Sequence, residues 1–283
     1  MDSVSNRQTT WYPINIKARR DQTTEHYVQA FRNLYEQDPL ISFPRSGKSG
    51  SLKYATFSNL LDENNTPKWI QIGLLSYTII DPEAFYNKRS RENVTMDNWN
   101  EDIVANKKET DLYFIPSVHT LVVRCNSDIS LKNIVYYLSE ALNHVEPETF
   151  DVDIIIERDI LDRILNAHAV THLYANISYS NPGHTRGFEA AFDRKLREMG
   201  ASRIEFTATG SKDHPLNSEY DGMLQSVVNL SEQNGYVQAT IQSTENAKFE
   251  KIDSSEHPRK LVVPQIVNDI CSTIYNTIRS IIH

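Results

Sequence analysis

Two loops of this chain place cationic, imidazole and hydroxyl side chains beside glycine and proline: residues 180–187 (SNPGHTRG) and 210–217 (GSKDHPLN). Each follows a β-rich run and precedes a run of helical period, so each is read as a strand-to-helix connection. If their strands are parallel neighbours, both loops lie at one sheet edge. Helix N-termini there favour an anion, and Asn181, His184, Arg186, Ser211, Lys212 and His214 form a candidate phosphate or nucleic-acid site. Turn geometry alone also accounts for glycine, proline and capping residues in such loops. A second set of candidate phosphate contacts is Lys88, Arg89 and Arg91, which follow Phe85 and Tyr86. Similar clusters occur at Lys17, Arg19 and Arg20 and at Arg194, Lys195 and Arg197; nearby acids weaken all three, and a solvated surface is the ordinary reading of any one alone.

Other constellations fall short of a chemistry. Gly47-Lys48-Ser49 ends like a phosphate-binding P-loop, but Ser42 stands where the leading glycine belongs and Pro44 interrupts the loop. His168 and His172 have the spacing of two metal ligands on one helix, yet they straddle a helix end and a strand start, with no glutamate between them. Asp151, Asp153, Glu157, Asp159 and Asp162 are read as solvated acids around a strand and a helix start rather than a metal site. No catalytic, metal or cofactor motif emerges, and no cofactor is expected.

Stepping along the chain, residues 11–18 read as a strand. Thr23 or Thr24 caps a helix whose stripe is Tyr27, Ala30, Phe31 and Leu34, and residues 52–60 and 68–80 form a hairpin. Residues 82–110 lose periodicity and are expected to be a mobile insertion. Residues 112–125 resume as strand, and Ser130 caps a helix through Leu142. Beyond Glu146-Pro147-Glu148, strands and helices alternate up to a terminal helix in which Ile266, Ile270, Ile274, Ile278 and Ile281 recur. The expected fold is α+β: a β-rich half with two helices (residues 1–147), then a half of alternating strands and helices (residues 148–283). The isoleucine stripe, Ile270, Ile274, Ile278 and Ile281 above all, is a candidate homodimer interface, with packing on its own domain as the other solution.

The 283 residues, 39% of them hydrophobic and 10% aromatic, suit a folded chain. No run approaches the ~20 apolar residues of a membrane span, and no secretory signal opens the chain, so a cytoplasmic location is expected. Cys125 and Cys271 lie in apolar segments and read as free thiols. A formal charge of −8 excludes a broadly basic nucleic-acid-binding domain and leaves only local patches.

WYPINIKA, FRNLYE, KWIQIGLLSYTIIDPEAFYN, DVDIIIERDILDRIL, LYANISYSNPG and NGYVQATI together resemble an uncharacterised family of bacterial proteins, a domain of unknown function of about this length. The β-rich first half and alternating second half are also distantly similar to Rex-type phage-exclusion proteins and related defence subunits. That resemblance implies DNA binding without obvious sequence specificity and pairing as dimers, and it carries over no catalytic motif. The function expected is a non-enzymatic phage-defence subunit that binds DNA, RNA or a protein partner encoded in the same operon. A nucleotide-handling enzyme using the two loops, with His184 or His214 as acid–base group, and a purely structural subunit are the alternatives.

Overall fold

The computed structural model describes residues 8–96, 100, 102–125, 127–179, 187–217, 222–264 and 270–282, with backbone alone for 187–189, 193, 264, 281 and 282. The fold is α+β, with fourteen strands and six helices among these residues. The organising strand is β1 (Gln8–Ala18), which pairs along one edge with β8 (Thr120–Arg124). Its other edge is shared. Gln8 to Trp11 pair with β14 (Leu261–Pro264), and Ile14 to Ala18 pair with β9 (Phe150–Ile154). From β8 the sheet continues through β7 (Ala105–Ile115), β4 (Ile70–Thr78), β3 (Ser49–Phe57) and β2 (Ile41–Ser42), every pair antiparallel.

Period-two alternation explains how this sheet is covered on both faces. Ile14 and Ile16 of β1, Ile72 of β4, Leu112 and Phe114 of β7 and Leu121 of β8 face α1 (Thr24–Gln37) and α2 (Leu131–Val145). Each helix presents a stripe to them: Tyr27, Ala30, Phe31 and Leu34 from α1, and Ile134, Tyr137, Leu138, Ala141 and Leu142 from α2. Both helices start at the caps expected, since the Thr23 and Ser130 side chains accept from the backbone N–H groups of His26 and Asn133. The intervening positions, Trp11, Tyr113, Ile115 and Val122, face α6 (Ile270–Ile282) on the opposite side.

A second sheet, in the order β11 (Arg203–Thr209), β10 (Ala169–Ser178), β12 (Gly235–Gln242) and β13 (Glu250–Asp253), is antiparallel throughout. Leu173, Ala175, Ile177, Val237, Ala239 and Ile241 pack against α3 (Arg158–Leu165) and α5 (Met223–Asn234), joined by Phe192 of α4 (Gly187–Glu198). α5 turns directly into β12 at Gly235, whose φ is +148° and where a Cβ would stand 1.9 Å from the Asn176 carbonyl oxygen. Only glycine fits there.

Several expectations change. Residues 112–125 are two strands, because Pro116–Val118 form a 3-10 turn and His119 takes φ +53°. Residues 82–110 carry regular structure: β5 (Phe85–Asn87), β6 (Glu92–Val94) and the first half of β7. From beyond residue 148, β9, β14 and α6 all return to the first sheet and its faces.

Candidate nucleic-acid interface

β4 and β7 are ladder partners as far as Thr78 opposite Ala105, so the chain between them leaves the sheet and returns to it. Within that excursion Asp81 starts the turn by accepting from the Glu83 and Ala84 amides. β5 and β6 then pair, Phe85 opposite Val94 and Asn87 opposite Glu92, and the Met96 amide donates to the Pro82 carbonyl at the base. Asn87 shapes the tip. Its side-chain oxygen accepts from the amides of Arg89 (2.9 Å) and Ser90 (3.1 Å), and its carbonyl accepts from the Arg91 amide (2.8 Å). Arg91 closes the turn in the left-handed region at φ +62°.

Lys88, Arg89 and Arg91 are therefore held on one short turn, all exposed, with Tyr86 59% exposed beside them. Among the described residues no carboxylate pairs with any of the three. Unpaired cations on a projecting turn attract a polyanion without first giving up an internal partner.

The strands that lead into the two loops are neighbours but not parallel. β10 and β11 are antiparallel, His172 opposite Thr209 and Ser178 opposite Arg203, so their C-terminal ends point in opposite directions. Six strand residues, about 20 Å, separate the exits. Asn181, His184 and Arg186 lie outside the described residues. In the other loop the Ser211 amide donates to the His214 carbonyl, the His214 amide donates to Ser211 Oγ, and Lys212 lies over the Phe249 ring. At Gly47-Lys48-Ser49 a strand follows rather than a helix, and the Phe43 amide donates to the Lys48 carbonyl across a hairpin turn. The terminal-helix stripe is also corrected as a dimer surface. Ile274 and Ile278 are each 1% exposed within the single chain, and Ile270 packs against the same cluster of Trp11, Tyr113 and Val122. Ile281 lies in the helix, with its side chain outside the described set.

The largest departure from the sequence reading is at Lys17 and Asp153. The former reads as a surface cation and the latter as a solvated acid, yet both are buried where the two sheets meet. Lys17 Nζ donates to Ser178 Oγ, to the Tyr179 carbonyl at 3.1 Å and to Asn234 Oδ1 at 3.0 Å, and it lies 3.2 Å from Asp153 Oδ2. Ser178 Oγ donates to Asp153 at 3.0 Å, and Arg203 holds the other carboxylate oxygen while donating to Asn176 Oδ1. Burial pulls the Lys17 ammonium below the usual lysine range, with Asp153 and Asp151 opposing it. Burial also pushes the Asp153 carboxyl up, and Lys17 with Arg203 outweigh it and hold it low. Next to them Arg19 clamps Asp151 through Nε at 3.2 Å and Nη2 at 3.3 Å. Every Lys17 donor is used, so this cluster joins five elements instead of offering a base or a nucleophile. β1 alternation places position 17 on the side opposite Ile14 and Ile16, a hint available in the sequence; its partner was not.

A family model described as a domain of unknown function, DUF4747, matches residues 7–280. No curated protein matches the chain.

Proposed function

The chain belongs to the DUF4747 family, and from that premise we propose a non-enzymatic protein that holds nucleic acid with the β5–β6 hairpin. One observation carries the reading. Three exposed cations without carboxylate partners among the described residues crown a two-stranded ribbon in a chain of net charge −8. Asp81, Glu83 and Glu92 flank them on the same excursion, so the attraction for an anion is confined to the turn itself. A major groove admits a two-stranded ribbon, and the tip offers point charges for phosphates. Asn87, the one amide on the turn, has its oxygen engaged by the backbone, which favours binding without base readout. The similarity to Rex-type proteins supports phage defence in a bacterial cytoplasm as the setting, with a homodimer and an operon partner. Such a dimer uses a surface other than the buried face of α6.

The test is fluorescence anisotropy with labelled duplex and single-stranded oligonucleotides between 50 and 200 mM salt. Lys88→Ala, Arg89→Ala and Arg91→Ala together are expected to lower the duplex log K versus log salt slope by about 2–3, at ~0.9 per phosphate lost. Wild-type affinity and slope in the triple variant would remove the hairpin from the interface.

A further inference from the structure

A hollow of about 380 Å³ lies between α1 and the turn that joins β3 to β4. From α1 comes Arg32, whose guanidinium lies 4.3 Å from the centroid of the Phe57 ring. The ring holds the group without using its N–H donors, and no hydrogen bond or ion pair engages it among the described residues. Asn59 and Asn65 line the same hollow, and their side-chain amides are likewise without partners among the described residues. Thr66, also in the wall, is 4% exposed and its hydroxyl is buried with no hydrogen-bond partner among those residues. A buried polar group in that state gains most from a partner that arrives from outside. Val28 and Pro67 supply apolar wall.

We infer that this hollow binds a small carboxylate whose body carries further polar groups. The guanidinium fork matches a carboxylate edge to edge, and the neutral amides and hydroxyl suit further polar groups on the same ligand. Only one other charged residue lines the hollow, Glu25. It lies seven residues from Arg32 on the same helix, about 10 Å along the axis, roughly a Debye length at physiological salt. With Glu25 in the same wall and the Asp62 carboxylate accepting from the Thr66 amide at 3.0 Å, a single cation fits a monoanion better than a phosphate dianion, and 380 Å³ sits at the small end of ligand sites. The site is independent of the hairpin.

Three phenyl probes separate the possibilities: benzoate, its neutral isostere benzamide, and phenyl phosphate, each titrated by thermal shift and calorimetry. Benzoate is expected to bind saturably in the millimolar range and more tightly than the other two. Arg32→Gln and Arg32→Lys are each expected to weaken it about tenfold, the lysine failing because it lacks the planar fork. Asn59→Ala and Asn65→Ala, on the joining turn, provide a second reading if the helix variants lose stability. The Lys88, Arg89 and Arg91 triple variant should bind benzoate as wild type does. Equal binding of benzamide, tighter binding of phenyl phosphate, no saturable signal, or an unchanged affinity in all four variants would overturn the assignment.

Discussion

Lys17→Met should destabilise the protein more than any other single polar substitution considered. The change keeps the length and packing of the side chain but removes three donated hydrogen bonds and the 3.2 Å ion pair to Asp153. Removing one partner of a buried pair costs about 3–5 kcal/mol, because the remaining charge is left in a poor solvent. Arg203 remains on Asp153 and its side chain is 32% exposed, so part of the carboxylate stays compensated and the lower end of that range is expected. With a urea m-value of about 3 kcal/mol/M for a chain of this size, the midpoint should fall by about 1 M. Circular dichroism and tryptophan fluorescence followed through urea unfolding measure it. Lys17→Met with Asp153→Leu should recover much of the loss, since an apolar pair replaces the stranded carboxylate and Arg203 can turn to water. A single variant as stable as wild type, or a double variant worse than the sum of the two changes, would refute the view of this cluster as a closed joint.

Ile274→Asp with Ile278→Asp should abolish folding, not release a monomer. Each isoleucine contributes about 1.5–3 kcal/mol by burial and a stranded carboxylate adds to the loss, against a total stability of about 5–15 kcal/mol; light scattering and circular dichroism distinguish the outcomes. His26 supplies the pH dependence: burial lowers its imidazole, but the hydrogen bonds to Glu146 and the Asp21 carbonyl win and raise it above the usual value. Its stabilisation is therefore complete below about pH 6.5 and is lost as pH rises through the raised value. The stability gap between wild type and His26→Gln should narrow from pH 6 to pH 8, and a gap that widens would refute the assignment.

What was legible in the sequence was what local period and capping decide. The stripes of α1 and α2 and their caps at Thr23 and Ser130 stand where spacing put them. A stripe tells which face of a helix is buried but not what buries it, so the isoleucines of α6 read equally as a dimer surface and as core. Strand direction is likewise absent from alternation, which is why 180–187 and 210–217 read as neighbours though β10 and β11 run opposite ways. The β5–β6 hairpin lacks an apolar alternation because it packs on little, and its turn is made by an asparagine and an arginine at positive φ, not by glycine. The joint at Lys17 needed residues 17, 153, 178, 203 and 234 to meet, a distance in sequence that no local reading spans.

The divided edge of β1 has a consequence for how the chain is made. β1 is translated before its partner strands, so one of its edges stays open until residues 150–154 exist and the rest of it until residues 261–264 exist. At ~5–20 residues per second that wait lasts tens of seconds, during which an apolar strand meant to be covered on both faces has bare N–H and C=O groups at its margin. An open strand edge is a template for pairing with another nascent chain. Emergence of β14, not of the first half, is then the moment at which this sheet can close, and chaperone occupancy of β1 should persist until residues 261–264 appear.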